Sequence, residues 1–172
     1  MIRSAEAGDA NSLAELYNYY VSHSVTTFEE TPVSGEEMGS RVSQVQAIGL
    51  PWLVLESEGA IRGYACAVRW KSREAYRHSV ESTIYLEQGQ TGRGYGVELY
   101  RCLLEQLRVL DVHSVLGGIA LPNDPSVALH EKMGFTKVAH LSEVGYKFGR
   151  WIDVGYWQHL LTSPAGIGAP TS

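Results

Sequence analysis

Apolar and polar positions recur with two different periods along this chain, and the points where the period changes divide it into elements. From Ala10 onward Leu13, Leu16, Tyr17 and Tyr20 follow helical spacing, behind a turn at Ala7-Gly8-Asp9 whose aspartate is placed to cap the helix. Met1–Arg3 reads as a short strand before it. A Thr/Ser-rich stretch runs to Pro32, and Ser34 with Glu37 three residues on has the capping-box pattern that opens a second helix to about Ile48. Pro51 closes that region. The β-like runs Trp52–Glu56 and Ile61–Trp70 flank Ser57-Glu58-Gly59-Ala60 and predict an antiparallel hairpin.

The run Ser79–Leu86 has period two, with Val80, Ser82, Ile84 and Leu86 on one face and Glu81, Thr83 and Tyr85 on the other. After a glycine-rich stretch from Gly89 to Gly96, helical spacing returns to about Leu110, with Tyr100, Leu103, Leu107 and Leu110 on the apolar side. Ser114–Ala120 is small and apolar throughout and suits a buried strand. Pro122-Asn123-Asp124-Pro125 then starts a helix by cap and early proline, and Gly134 stops it. Thr136–Glu143 and Tyr146–Leu161 are the last β-like runs. Residues 162–172 are small, contain Pro and Gly, and read as a flexible tail. The order predicts an α/β (α+β) fold, one domain over 1–161, with helices flanking a central mixed sheet of about seven strands.

Composition sharpens this picture. With 172 residues, 44% of them apolar and 19% charged, the chain can bury one sizeable core. Its formal charge of −5 and its lack of a basic block argue against nucleic acid as a partner. No apolar run approaches the roughly 20 residues of a membrane helix, and the first residues lack a signal-peptide core, so no membrane and a cytoplasmic location are expected. Cys66 and Cys102 have no CxxC partner and read as buried thiols, and the histidines other than His130 show no metal-ligand spacing, so no metal is expected.

The stretch Gly92-Arg93-Gly94-Tyr95-Gly96 lies between a strand and a helix, where unencumbered N–H groups and a helix N-terminus can hold a phosphate. A dinucleotide fingerprint would need its last glycine at Val97, and no P-loop ending is present. Here the chain resembles the GCN5-related N-acetyltransferase (GNAT) superfamily. The segments Trp70–Tyr76, Val80–Tyr85, Leu121–Ser126 and Leu129–Glu131, with Gly145–Lys147 and Asp153–Gln158, are similar more narrowly to phosphinothricin N-acetyltransferases. The family turn usually begins with Gln or Arg, and Thr91 stands in that place behind Gln90.

The resemblance implies a GNAT-like fold with a mostly antiparallel seven-stranded sheet. It also implies acetyl-CoA as co-substrate and direct acetyl transfer to the amine of phosphinothricin or a similar small amino acid, an activity that would confer herbicide resistance. Methionine sulfoximine or another amino acid is the alternative acceptor, and an acyl-CoA-binding sensor without catalysis is the alternative of another class. Free amines are mostly protonated near neutral pH, so a base is needed before attack on the thioester. The family position of the base falls on Glu81, which acts directly or through water. His130 is the second candidate, assisting deprotonation or orienting groups near the leaving thiolate, and Tyr85 is an alternative proton donor. The coenzyme would lie along Ile84, Tyr85 and Leu86, with its pyrophosphate at Gly92, Arg93, Gly94, Tyr95, Gly96 and Val97. Asn123 and Ser126 would meet its arm, with helix capping an equal role for Asn123. For the amino acid, Lys71 and Arg73 would share one side of a strand and attract an anion, joined by Tyr76, Thr83 and Glu81. Phe28 forms an apolar wall or packs in the core. Related enzymes make a homodimer the expected state.

Overall fold

The computed structural model describes residues 1–161; the expected tail, 162–172, lies outside the described residues. The chain runs β1 (Ile2–Ser4), α1 (Ala10–His23), α2 (Gly35–Ala47), β2 (Trp52–Ser57), β3 (Ala60–Arg69), β4 (Ser79–Leu86), α3 (Tyr95–Val109), β5 (Ser114–Leu121), α4 (Asp124–Lys132), β6 (Thr136–Lys147) and β7 (Arg150–Leu160). The strands form one seven-stranded sheet in the order β1-β2-β3-β4-β5-β7-β6. All neighbours are antiparallel except β4 and β5, which run parallel for three rungs only, Ser79–Ser114, Val80–Val115 and Glu81–Leu116.

Both faces of the sheet carry helices over its β1–β5 part, while β6 is largely exposed. On one, α3 lays Leu99, Leu103 and Leu107, all fully buried, against Leu53, Ala65, Val80, Val115 and Ile119; each such leucine contributes about 2 kcal/mol through lost apolar exposure. On the other, α1 and α2 bring Leu13, Tyr17, Met38 and Val42 onto Trp52, Val54, Tyr64 and Tyr85. The period-two reading of β4 therefore holds in direction, and Tyr85 on the face opposite Val80 is buried in this second core as well.

Local signals behave as sequence chemistry dictates, with some exceptions. Ser34 Oγ accepts the Glu37 N–H at 3.1 Å and starts α2, and Asn123 Oδ1 accepts the Ser126 N–H at 3.2 Å and starts α4. Asp9 does not cap α1: its carboxylate accepts the Glu6 N–H and binds Arg3 at 2.7 Å, because a 3₁₀ turn over Ala7–Asp9 intervenes. Leu110 is exposed, since α3 ends at Val109 before the apolar stripe reaches it. Cys66 is buried, but Cys102 is only partly so. The last two strands meet at Phe148-Gly149, not near Val144. Residues 144–147 belong to β6, where a bulge with Glu143 at φ 52° interrupts the period and imitates a strand end.

The β2–β3 hairpin closes over two residues, Glu58 and Gly59, at φ 55° and 74°. Two successive left-handed residues are what a type I′ turn requires, and a glutamate is costly in the first position where asparagine is favoured. Glu58 reaches Arg62 only at 3.7 Å, while Arg62 has a 2.6 Å pair with Glu87. Glu58→Asn is expected to stabilise the protein by about 0.5–1 kcal/mol, read as a raised urea midpoint with unchanged slope.

Candidate active site

Beyond Glu81 and Leu116 no rung joins β4 to β5, so the two strands part and expose an edge of each. Ser82 sits at the fork: its hydroxyl donates to the Leu116 carbonyl at 3.1 Å and accepts from the Tyr100 hydroxyl at 2.6 Å. A side chain thus takes a carbonyl that the sheet leaves unpaired. Three connected cavities occupy the opening. One of about 250 Å³ runs between Leu86, Thr91, Pro125 and Leu129 toward the glycine turn. A central one of about 200 Å³ is walled by Glu81, Thr83, Gly118, Asn123 and His130. A third of about 290 Å³ lies between Phe28, Leu141, Val144 and Tyr156. Ile84, Tyr85, Asn123 and Ser126 line both the first and the second, and Glu81 and Gly118 both the second and the third.

At the first end, Gly92 and Gly94 adopt φ 80° and 83°, the left-handed backbone that brings the chain into α3. The N–H groups of Tyr95, Gly96 and Val97 have no carbonyl to bond within the helix and stand at its positive end, which suits an anion. A Cβ on Gly96 would come within 3.2 Å of Leu129, so the missing side chain also lets α4 approach α3. The Tyr95 ring turns away, its hydroxyl 3.4 Å from Ser57 Oγ, which leaves that residue's N–H as its contribution.

In the centre, the two glycines of β5 are filled from opposite faces. A Cβ on Gly118 would lie 3.0 Å from Glu81 Oε1 and 3.2 Å from the Tyr156 ring. A Cβ on Gly117 would collide with the His130 imidazole. Glu81 and His130 therefore border one cavity from the two sides of β5. Burial pushes the Glu81 carboxyl above its ordinary value, with the Lys71 ammonium opposing. His130, 4% exposed, packs edge-on against Tyr100 and Phe135, and its Nδ1–H donates to the Ser126 carbonyl at 2.8 Å, leaving Nε2 as an acceptor toward Gly117. Burial lowers its pKa, so the ring is neutral near pH 7. Tyr85 is nearly buried among Tyr17, Tyr20 and Tyr64, with ring centroids 4.9–5.5 Å away, and burial raises its phenol far above the ordinary value.

The profile of the acetyltransferase (GNAT) domain family matches residues 2–155. This chain belongs to that family. A phosphinothricin N-acetyltransferase of Streptomyces viridochromogenes is 40% identical over 95% of this chain and 89% of its own length. An L-methionine sulfoximine/L-methionine sulfone acetyltransferase of Salmonella typhimurium is 33% identical over 98% of both chains. A GNAT superfamily phosphinothricin acetyltransferase from Sinorhizobium meliloti, solved in complex with AcCoA, superposes with a TM-score of 0.92 at 35% identity, covering 99% of this chain and 92% of the other.

Within this GNAT domain, Glu81, Thr83, Ile84, Tyr85, Leu86, Asn123, Ser126 and His130 gather around the parted strands, and Phe28 lines the third cavity. The Leu86 carbonyl accepts the Tyr20 hydroxyl at 2.6 Å, which ties α1 to the end of β4. Lys71 and Arg73 do not share the side of a strand. Strand β3 stops at Arg69, and both lie in the exposed loop before β4, Arg73 preceding a 3₁₀ turn that contains the exposed Tyr76. Neither cation nor Tyr76 lines the three cavities, although Lys71 is close enough to Glu81 to oppose its shift and lies 4.7 Å from the Trp70 ring centroid.

Sequence reasoning missed Thr26, which borders all three cavities, and missed what holds it. Lys147 is 1% exposed, and its ammonium donates to the carbonyls of Ser24 and Thr27, both at 2.8 Å, tying the segment between α1 and α2 to β6. The signal was a lysine two positions after Gly145 on the inward face of a strand, with Phe28 filling the space over Gly145. Replacement of Lys147 by Met leaves two carbonyls unpaired and is expected to cost about 2–3 kcal/mol in urea unfolding, with faster proteolysis between residues 24 and 34.

Proposed function

We propose that this GNAT domain transfers the acetyl group of acetyl-CoA directly to the amino group of a small amino acid, phosphinothricin or one like it, with Glu81 as general base. The observation that carries the reading is the position of Glu81 in the wall shared by the central and third cavities, half-buried beside Gly118. The coenzyme fits the other arm. The glycine turn and the α3 N-terminus suit its pyrophosphate, and the narrow cleft along Ile84 and Tyr85 suits its pantetheine. Bound there, it supplies an activated thioester carbonyl.

Glu81, directly or through one water, takes a proton from the ammonium so that the nitrogen lone pair is free to attack. The new C–N bond replaces the C–S bond; the attacking nitrogen, positive once bonded, gives up its second proton, and the departing thiolate takes one up, so that amide and free thiol are the products. Tyr85 keeps its own proton, because burial holds the phenol far above the thiol range, and acts as a hydrogen-bond donor. His130 fills the space over Gly117 and holds the Ser126 carbonyl, which makes it a positioning residue for the α4 start. Lys71 keeps a positive charge near Glu81 and favours an acceptor carrying a carboxylate. The expected homodimer has in its favour an exposed apolar strip of Val144, Tyr146, Phe148 and Trp151 on the β6–β7 hairpin.

Free thiol should appear when acetyl-CoA and phosphinothricin are mixed with the protein, and Glu81→Gln should lower kcat about 100-fold or more while acetyl-CoA binding is retained. Full turnover in that variant removes Glu81 as the base. A protein that binds acetyl-CoA yet acetylates no amine would instead be an acyl-CoA sensor. Glu81 works as a base only above its raised pKa, so kcat falls on the acid side. Removal of the opposing charge by Lys71→Met raises that pKa further and should move the acid limb of kcat to higher pH; an unmoved limb would uncouple Lys71 from Glu81.

A further inference from the structure

The third cavity takes one of its apolar walls from an irregularity in β6. Register places Gly118 and Ala120 of β5, Tyr156 and Val154 of β7 and Leu141 of β6 on one face of the sheet, because Gly118 pairs with Tyr156, Ala120 with Val154 and Val154 with Leu141. These residues all line the cavity. Val144 lines it too, although in a regular strand a residue three positions beyond Leu141 would face the other way. The bulge makes the difference. Leu141 pairs with Val154 and Gly145 with Ile152, so Ser142, Glu143 and Val144 stand opposite Asp153 alone.

Burial among the described residues does not account for this bulge. Leu141 and Val144 remain 42% and 54% exposed, and Glu143 adopts left-handed backbone at φ 52° without being a glycine. What fastens it comes from the opposite face of the sheet, where Asp153 points because it alternates with Val154. Asp153 Oδ1 accepts the Glu143 N–H at 2.8 Å, and Oδ2 accepts from His140 Nε2–H at 2.7 Å. His140 is oriented in turn by Lys137, whose ammonium donates to Nδ1 at 3.2 Å. The bond from Glu143, and after it the one from His140, hold the Asp153 carboxyl below its ordinary value, so it is ionised near pH 7. None of Asp153, His140 and Lys137 lines the cavity. An exposed carboxylate–histidine pair adds little stability by itself, whereas a bulge held in one shape re-aims the side chains beside it.

We propose that Asp153 is a positioning residue for the acetyl acceptor: by fastening the Glu143 bulge from behind, it keeps Val144 beside Leu141 as an apolar wall of the cavity in which the amine reaches Glu81. The assignment rests on the acetyl-transfer reading above. Asp153 acts through the backbone of β6 and touches neither substrate nor reacting atoms.

Asp153→Ala removes the fastening. With phosphinothricin and methionine sulfone as acceptors, the KM for the better of the two should rise about tenfold, while kcat and the KM for acetyl-CoA stay within about twofold of native. Asp153→Asn keeps an oxygen for the Glu143 N–H and should bring the acceptor KM back to within about threefold of native. A second variant reaches the same wall without touching Asp153. Deletion of Ser142 and Glu143 leaves Gly145 opposite Ile152 and Lys147 opposite Arg150, sets Val144 against Asp153 in a regular ladder and turns its side chain away from the cavity. The deletion should raise the acceptor KM as Asp153→Ala does, and combining the two should add nothing further. An acceptor KM at the native value in Asp153→Ala or in the deletion variant overturns the assignment. So does a rise that comes with an altered oligomeric state in sedimentation, since Val144 also belongs to the exposed strip of the hairpin. A binding readout needs no turnover: with coenzyme A bound to the native protein, the methyl resonances of Leu141 and Val144 should both shift on titration with phosphinothricin or methionine sulfone, and in Asp153→Ala that of Val144 should not. A Val144 resonance indifferent to both in the native protein overturns the assignment. No thiol release from either amine would overturn the acetyl-transfer reading instead, and the titration would still decide the role of Asp153.

Discussion

The rung between Glu81 and Leu116 is the last that β4 and β5 share, and the rest of the molecule is arranged around the gap that opens beyond it. Two parallel strands that separate in mid-sheet leave N–H and C=O groups with no partner, and such groups buried away from water cost free energy. Ser82, whose hydroxyl is held by Tyr100, satisfies the Leu116 carbonyl at the fork, and Tyr20 satisfies that of Leu86 farther along. The remaining edge is left for a ligand. Because β3 and β7 pair with the outer edges of β4 and β5 nearly to their ends, the opening is held by rigid sheet on both sides.

The same opening explains why the adjoining residues are small. Gly117 and Gly118 leave room on the two faces of β5, and the imidazole of His130 and the carboxylate of Glu81 take it up. Glu81 is thereby held in a partly desolvated place that raises its proton affinity, a condition suited to a base operating near neutral pH. His130 is pressed into a neutral form by the same burial, with its donor nitrogen committed to Ser126. Over adjacent glycines of β5 the two side chains meet different surroundings: Glu81 also borders the third cavity, whereas His130 packs against Tyr100 and Phe135.

Much of the fold was legible in the residues alone. The order of strands and helices follows from period changes, and β4, the β2–β3 turn and the caps at Ser34 and Asn123 fall where local chemistry places them. Two departures come from where a strand stops or bulges. The bulge at Glu143 breaks the two-residue period inside β6, so residues 144–147 look like the start of another strand. Lys71 and Arg73 come after an apolar run that has already left the sheet at Arg69, and nothing in an alternating pattern marks the last rung.

Residue type and local spacing alone were enough to specify the glycine turn before α3, the capped α4 and an acidic residue on the strand that leads into the turn, since each depends on neighbours within a few positions. Lys147 with Ser24 and Thr27, Trp52 with Cys66 and Thr83, and the parting of β4 from β5 join residues far apart in the chain. Their geometry is set by which strands become neighbours and by where pairing stops. That is decided only when both faces of the sheet are packed, because the hydrogen bonds gained and lost there depend on partners that no local window of sequence contains.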